Sequence, residues 1–282
     1  MSATPQSISW EEAVRWYRAQ PGNDAAIRDN YFDLPVSDAA ERYAAGEEFA
    51  EILRLLGPGH GRRVLDLGAG NGIASYALAR NGWRVAAFEP DPSAEVGACA
   101  IEALKAAGRL SVEIFTELGP RLPFADASFD AVFARQVLHH VPDLGQTMRE
   151  LFRILRPGAR ALAIRDHVAS DARELALFRA QHPLHHLYGG ENAHPLESYL
   201  GAAKAAGFIA DEVWGPIESI LNFFPGTETA RQARARAVCA RRFLGLGRFL
   251  PDTPGFAAAS LRRFTRRDRT PGRIFSFLLL KP

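Results

Sequence analysis

The sequence predicts an α/β fold, in which a mostly parallel sheet of seven strands carries helices on both faces. From Arg63 onward, short apolar runs alternate with helical stretches, which is the pattern of βαβ units. Glycine and proline residues bound the apolar runs and favour strands over buried helices. The chain has 282 residues, 47% hydrophobic and 23% charged, so it can bury a sizeable core and is not disordered.

The first part of the chain is predicted to be helical. Ser9 followed by Glu12 forms a capping box that opens a first helix. A second helix is expected after Ser37, with apolar residues at helical spacing up to Gly57. We expect residues 1–60 to form a helical lid on the domain that follows.

Residues 61–282 are predicted to form that domain, with insertions at about 168–207 and 225–271. The expected strands are 64–67, 84–89, 112–116, 131–134, 159–164, 208–224 (interrupted at Gly215) and 274–280. The expected helices are 73–80, 93–107, 143–155, 171–181, 196–206, 228–244 and 256–264.

Composition excludes several classes of protein. No segment approaches the roughly 20 consecutive apolar residues that a membrane-spanning helix needs. The residues after Met1 resemble no export signal, so we expect a soluble, cytoplasmic protein. Cys99 and Cys239 fit neither a disulfide framework nor a metal-ligand spacing.

Basic residues are concentrated near the end of the chain. The totals are balanced, with 34 basic and 32 acidic residues, but residues 228–282 contain 13 basic and three acidic residues. Such a tract can indicate nucleic acid, anionic lipid or an acidic substrate. Phenylalanines between its arginines could stack on bases. Their spacing equally fits an amphipathic helix with solvated arginines, which we favour.

A glycine loop links the first predicted strand to the helix after it. Residues 64–72 read VLDLGAGNG, with glycines at every second position. Glycine permits a tight turn and lets the backbone lie directly against a ligand. A dinucleotide fingerprint would place its third glycine where Ile73 stands, whereas here Gly72 comes one residue earlier. The loop therefore predicts a ligand other than a dinucleotide, and a plain glycine-rich turn stays the alternative.

Two acidic residues flank this loop. Asp66 precedes the first glycine, where it would repel a pyrophosphate and suits a ligand with a positive charge. Glu89 ends the second predicted strand, where a carboxylate can accept hydrogen bonds from both hydroxyls of a ribose. The alternative for Glu89 is a solvated charge at a strand end.

Four motifs follow one another along about a hundred residues. They are DLGAGNG at 66–72, LPFADASFD at 122–130, VLHHVPD at 137–143 and LFRILRPG at 151–158. Together they resemble the core of the class I S-adenosylmethionine-dependent methyltransferases, in the broad group that modifies small molecules. The resemblance covers residues 62–165. It implies a Rossmann-like fold, S-adenosylmethionine as cofactor, and methyl transfer to a small-molecule acceptor by in-line displacement.

The resemblance also implies cofactor contacts at particular positions. The loop residues Gly68, Ala69, Gly70 and Gly72 would pack under the methionine part, Asp66 would hold the amino end, Glu89 would take the ribose, and Arg135 and Gln136 would line the sulfonium side. The family's acidic residue for adenine falls on Leu118, with Glu117 beside it as a substitute. Adenine recognition therefore departs from the family pattern.

Histidines are the candidate catalytic residues. His139 and His140 follow the fourth predicted strand and His167 follows the fifth, at the carboxyl ends where ligands bind in open α/β sheets. A general base is needed only if the acceptor carries a proton that must leave. In the family the adjacent histidine pair is often structural, and that alternative stays open.

The acceptor is expected on segments outside the core. Arg28 and Tyr31 lie in a stretch expected near the cofactor, and His186 and Tyr188 lie in a histidine-rich loop that we expect to cover the acceptor. The loop's spacing matches no regular metal site, so no metal is predicted.

A small-molecule acceptor is expected, and the basic tract favours an anionic one. We expect no membrane partner, disfavour nucleic acid, and predict no oligomeric state. The alternatives are a nucleic-acid or tRNA methyltransferase, transfer of another group from the same cofactor, and a cofactor-binding protein without catalysis.

Overall fold

The computed structural model describes residues 8–242, except 118 and 120, and residues 254–282. Seven strands form one sheet in the order β3-β2-β1-β4-β5-β7-β6. They are β1 (Arg63–Leu67), β2 (Arg84–Phe88), β3 (Val112–Phe115), β4 (Phe129–Arg135), β5 (Leu155–Val168), β6 (Ile209–Trp214) and β7 (Arg273–Leu280). The first five strands pair in parallel, and β7 runs antiparallel between β5 and β6. This architecture confirms the predicted α/β fold.

Helices pack on both faces of the sheet. They are α1 (Trp10–Ala19), α2 (Asp24–Asp29), α3 (Val36–Ala44), α4 (Glu47–Leu56), α5 (Ile73–Arg80), α6 (Ala98–Gly108), α7 (Leu144–Ile154), α8 (Ala172–Gln181), α9 (His185–Tyr188), α10 (Leu196–Ala206), α11 (Glu228–Arg242) and α12 (Pro254–Thr265). Side chains from α3, α4 and α5 form one apolar core with the sheet, and side chains from α7 and α10 form a second core.

Local sequence explains these elements. The Ser9 and Glu12 side chains cap the first turn of α1 reciprocally, as predicted. The Asp143 carboxylate accepts a hydrogen bond from the Gln146 amide and caps α7. Residues 85–88 of the buried parallel strand β2 form a continuous apolar run because both faces of the sheet are covered. The carboxyl ends of β1, β2, β4 and β5 meet at one edge of the sheet, which carries the site.

The length that we predicted for the strand before the basic tract was wrong. We predicted a strand over 208–224, but β6 ends at Trp214. The Asn222 side-chain amide donates to the carbonyls of Trp214 and Gly215. These bonds fold the chain into a 3₁₀ turn at Ile220–Asn222 in place of a continued strand.

Several other boundaries differ from the prediction. The helix expected after Ser37 is divided into α3 and α4 at Gly46, and α2 was not predicted. Helix α6 begins at Ala98, five residues later than expected. The Ala98 amide donates to the Asp91 carbonyl, and this bond closes a turn in the residues before the helix. Strand β5 begins at Leu155, where it already pairs with Phe129. Residues 243 and 244 of the predicted helix 228–244 lie outside the described residues.

No helix in the described part of the chain has the length and apolarity to cross a bilayer.

Candidate functional site

Different structural features explain the three glycines of the loop after β1. Gly68, Gly70 and Gly72 all adopt left-handed backbone angles, with φ of 62°, 56° and 83°. A Cβ at Gly68 would lie 2.7 Å from a methyl group of Val137, and one at Gly72 would lie 2.9 Å from Cγ1 of Ile101. At Gly70 the nearest atom would be 4.0 Å away. Packing therefore requires two of the glycines, and the third leaves open space for a ligand.

Glu89 joins this loop to the end of β2. Its Oε2 accepts a hydrogen bond from the Gly70 amide at 2.7 Å, and its Oε1 accepts one from the Asp91 amide at 2.9 Å. Burial raises the pKa of Glu89, and the two amide donors counteract this rise. The loop is further fixed because the amides of Gly68 and Ala69 both donate to the Phe88 carbonyl.

Asp66 lies on β1 beneath the loop and is 2% exposed. Its Oδ2 accepts a hydrogen bond from the Ser75 hydroxyl at 2.6 Å. Burial raises the pKa of Asp66 to about 7, and the nearby charge of Glu89 contributes to the rise. A cationic ligand group at this position would stabilise the ionised carboxylate.

A buried charge triad lies at the carboxyl ends of β4 and β5. Glu48, from α4, accepts hydrogen bonds from Arg135 Nε at 2.8 Å and from an Arg165 terminal nitrogen at 3.2 Å. Arg135 also donates to the side-chain oxygen of Gln136 at 2.9 Å. One carboxylate thus pairs with two guanidinium groups and neutralises the charge of only one of them. Burial lowers the pKa of Arg165; burial also acts to lower the pKa of Arg135, but the charge of Glu48, the hydrogen bond to it and the nearby tyrosines Tyr43 and Tyr31 together raise that pKa.

Tyr31 connects the N-terminal segment to this triad and is 1% exposed. The Arg135 guanidinium lies 5.6 Å from the centre of its ring, and the ring stacks on Phe224 at 5.2 Å. The carbonyl of Tyr31 accepts a hydrogen bond from the Asn71 side chain in the glycine loop. Arg28 is exposed, and its side chain forms no hydrogen bond or ion pair with the described residues.

The three predicted catalytic histidines meet in one cluster. The His139 ring lies 4.0 Å from the His140 ring and 4.8 Å from the His167 ring. His139 Nδ1 is 3.0 Å from Asp166 Oδ1, and Glu191 closes the cluster from the loop after α9.

The surroundings of the three histidines shift their pKa values in opposite directions. Burial opposes protonation of His139, but its hydrogen bond to Asp166 and the nearby carboxylate of Glu191 outweigh burial and raise its pKa to about 9. Burial, with the nearby charge of His139, lowers the pKa of His167 to about 3. The pKa of His140 is lowered for the same two reasons.

The histidine-rich loop contributes unequally to this cluster. The Tyr188 hydroxyl donates to Glu191 Oε1, and the Tyr188 ring packs on Trp10 with centroids 4.7 Å apart. His186 is exposed and its ring faces Trp16 at 6.0 Å, away from the cluster.

The adenine positions stay predictions. Glu117 is exposed after β3, and Leu118 lies outside the described residues.

Sequence reasoning missed Glu48, Arg165 and the partner role of Asp166. Glu48 lies on the buried face of α4, four residues before Ile52. An acidic residue among the apolar positions of a helix indicates a buried charge that needs a partner, and this signal could have been found in the sequence. Arg165 and Asp166 stand at the end of an apolar strand, at the edge where ligands bind. Arg165 pairs with Glu48, 117 positions away, and Asp166 pairs with His139, 27 positions away. Neither pairing could be predicted from the sequence.

Comparison with known proteins shows what this part of the chain is similar to. The model of a methyltransferase domain matches residues 65–163. An uncharacterized methyltransferase of Mycobacterium sp. (strain JLS) is 40% identical over 102 residues, covering 36% of this chain and 38% of that protein. The ubiquinone biosynthesis O-methyltransferase of Rhizobium johnstonii is 31% identical over 160 residues, covering 57% and 63%. The chain therefore spans less than two thirds of the length of these relatives.

Solved structures extend the similarity of fold to the whole chain. A geranyl diphosphate methyltransferase in complex with SAM has a TM-score of 0.58 at 17% identity, covering 99% of this chain and 98% of that one. A sarcosine dimethylglycine methyltransferase from Galdieria sulphuraria, described as putative, has a TM-score of 0.55 at 18% identity, covering 87% and 86%. The domain match falls on the glycine loop and on the strands that carry Asp66 and Arg135, so this part of the chain is similar to a methyltransferase domain, and the solved structures share its fold.

Proposed function

We propose that this protein transfers the methyl group of S-adenosylmethionine to a small-molecule acceptor. The observation that carries the proposal is the hydrogen bond from the Gly70 amide to Glu89 at 2.7 Å. It holds the open backbone of the loop beside a buried carboxylate at the ends of β1 and β2. A nucleoside whose ribose hydroxyls donate to Glu89 would lie along this backbone.

The charges around the loop fit the rest of the cofactor. Asp66 is a buried carboxylate that lacks a cationic partner hydrogen-bonded to it among the described residues, and the amino end of the cofactor would supply one. Arg135 and Gln136 follow β4 and would face the methionine part. When bound, the cofactor supplies an electrophilic methyl group on a sulfonium sulfur. These side chains would orient it, and alignment of the two reactants provides much of the acceleration in such a displacement.

The surrounding residues support a closed site for the acceptor. Tyr31 is buried against Arg135 and is bonded to the loop through Asn71, so this part of the N-terminal segment covers the edge of the sheet. Exclusion of water favours methyl transfer over side reactions. If the acceptor carries a hydroxyl or thiol proton, the histidines after β4 and β5 stay our prediction for the group that receives it.

The acceptor in our proposal carries an anionic group. Glu48 compensates only one of the two guanidinium groups of Arg135 and Arg165, and Arg165 Nε is buried without a hydrogen-bond partner among the described residues. This buried excess supports an anion more directly than the basic tract does. In that tract Arg231 binds Glu228 and two carbonyl groups, and Arg273 binds Glu174. Fewer free arginines also weaken the nucleic-acid alternative.

Calorimetry with S-adenosylmethionine and with its demethylated product tests the cofactor. We expect the wild type to bind both, and Glu89→Ala to weaken binding about ten- to hundredfold, the effect of losing hydrogen bonds to a charged group. Glu113→Ala, which removes an exposed carboxylate from β3, serves as the matched control and should bind as the wild type does. Absence of binding by the wild type would overturn the proposal.

The acceptor can be sought by incubating the protein and cofactor with an extract of the source cells. Mass spectrometry should show an anionic metabolite that gains one methylene. With that acceptor, Arg165→Met should raise KM and leave cofactor affinity unchanged, because Arg135 still neutralises Glu48. An acceptor without an anionic group, or an unchanged KM, would contradict the anionic part of the proposal.

A further inference from the structure

Three side chains of the histidine cluster direct ligand atoms at one point. His139 and His140 follow β4, and Glu191 reaches them from the loop after α9. One nitrogen of each histidine and one carboxylate oxygen lie within 4.8 Å of one another. The distance from His139 Nε2 to Glu191 Oε2 is 3.6 Å, and that from His140 Nε2 to Glu191 Oε1 is 3.9 Å.

Hydrogen bonds on the far side of each ring select the tautomer. His140 Nδ1 lies 3.1 Å from the Gly190 carbonyl, which can only accept, so Nδ1 carries the proton. His139 Nδ1 lies 3.0 Å from the Asp166 carboxylate and likewise acts as the donor to it. In the neutral rings both Nε2 atoms therefore present a lone pair toward Glu191. Metal-binding histidines are oriented in this way by a carboxylate or a carbonyl behind the ring.

Glu191 provides an independent observation. Its side chain is 4% exposed, and its Oε2 has no hydrogen-bond partner among the described residues, although Oε1 accepts a hydrogen bond from Tyr188. A buried carboxylate oxygen without a donor is costly, and a cation at this point would remove the cost. The nitrogen-to-oxygen distances exceed hydrogen-bond length and approach the roughly 3.4 Å between ligands of a tetrahedral ion with bonds of about 2.0–2.1 Å.

We propose that His139 Nε2, His140 Nε2 and Glu191 bind a divalent transition-metal ion, with Zn²⁺ as the ion that this donor set suits best. Two imidazoles and one carboxylate leave a fourth position open. His140 is partly exposed, so this position is reached from the surface of the cluster. His182 Nε2, at 3.6 Å from Glu191 Oε1, lies beside the site.

The site goes beyond methyl transfer, because the ion would bind without the cofactor. It changes the role of His139 and His140 from candidate proton acceptors to ligands. An acceptor oxygen in the open position would lose its proton more readily, since the ion stabilises the oxyanion; that consequence alone rests on the proposed function.

The test uses the full-length protein without a histidine tag, stripped by chelator and titrated with Co²⁺ and Zn²⁺. We expect one equivalent of Co²⁺ to bind with visible absorption bands of a low-coordinate site, and Zn²⁺ to displace it. Glu191→Gln and His140→Gln should each weaken binding by about a hundredfold or more, at least the effect of losing a supporting contact. Glu197→Gln, an exposed glutamate on α10, should bind as the wild type does.

Two results would overturn this proposal. One is no uptake of Co²⁺ or Zn²⁺ by the wild type, in which case a proton on His139 balances Glu191 instead. The other is uptake that Glu191→Gln and His140→Gln leave unchanged. Calorimetry with S-adenosylmethionine on the same variants shows that they are folded. It also separates failure of the metal site from failure of the proposed function, because Glu89→Ala should bind the cofactor more weakly and bind the metal as the wild type does.

Discussion

The carboxyl ends of β1 and β2 and those of β4 and β5 carry two charged sites that are built in opposite ways. At the first site, the loop and Glu89 are joined within 19 residues of chain. At the second, Glu48 meets Arg135 and Arg165 across separations of 87 and 117 residues. The residues of the first site lie within one short segment of the chain. The second site depends on the packing of segments that are far apart in the sequence.

This difference suggests how the two sites can vary. The residues of a contiguous loop can be retained together between related proteins, which suits a cofactor that is the same in all of them. A site assembled from several segments can change one residue at a time, and such a site suits an acceptor that differs between proteins. If so, substitutions at the second site should affect stability first, and substitutions at the first should affect ligand binding first.

The largest effect is expected for Glu48→Ala. The substitution leaves Arg135 and Arg165 buried without their shared carboxylate, and loss of one partner from a buried ion pair costs about 3–5 kcal/mol. Glu51→Ala on the same helix is the control, because its partner Arg54 is exposed and the change should cost less than about 1 kcal/mol. Urea unfolding measures both. Equal costs would show that the second site does not hold the fold together.

The glycine loop should separate stability from binding. Gly72→Ala combines a left-handed φ with a Cβ 2.9 Å from Ile101, so we expect the free energy of unfolding to fall by about 2–3 kcal/mol. Gly70→Ala meets no neighbouring atom and should cost about 1 kcal/mol from its backbone angle alone. Its methyl group would instead fill the ligand space, so cofactor affinity should fall more than in Gly72→Ala. Calorimetry and thermal unfolding of both variants give the two quantities, and a reversed order would contradict our interpretation of Gly70.

The same difference explains how much the sequence could predict. Asp66, the three glycines and Glu89 could be predicted as site residues from the sequence because the roles expected for them depend on spacing within one βαβ unit. The periodicity of apolar residues also predicted the strands of the parallel sheet to within a few residues. Long-range pairing does not follow from periodicity, and for this reason Glu48 was not identified.

The histidine cluster shows the same limit on prediction. From the sequence, His139 and His140 were candidate catalytic residues, whereas Glu191 lies in the histidine-rich loop that was expected to cover the acceptor. The spacing within that loop matches no regular metal site, so no metal was predicted. The turn after α9 brings Glu191 back to β4, and only that tertiary contact places the three ligand atoms together.

Asp66 gives a smaller effect, which depends on pH. Its pKa is about 7 in the folded protein and about 3.9 in the unfolded chain, so the folded state holds the additional proton between these values. Ionisation of this group therefore lowers the free energy of unfolding as the pH rises from about 4 to about 7. Asp66→Asn should remove that dependence, which urea unfolding at pH 5.5 and 7.5 would measure.

Cofactor binding should follow the opposite trend. About a tenth of Asp66 is ionised one pH unit below its pKa, so affinity should be about tenfold higher at pH 8 than at pH 6. Asp66→Asn should bind more weakly and show no such difference. A variant that keeps the pH dependence would assign it to another group and remove Asp66 from the amino-end role.

The smallest effect is expected at the far side of the proposed acceptor site, for Ser9→Ala. Loss of this cap from α1 should cost about 1 kcal/mol. Trp10, the first residue of α1, packs on Tyr188, and the Ile8 amide donates to the Leu187 carbonyl. Hydrogen exchange should therefore become faster in both α1 and α9 and stay unchanged in α5. If α9 is unaffected, the histidine-rich loop holds Glu191 in place without help from the N-terminal helix. If it is affected, part of the acceptor site depends on a cap that contacts neither the cofactor nor the sheet.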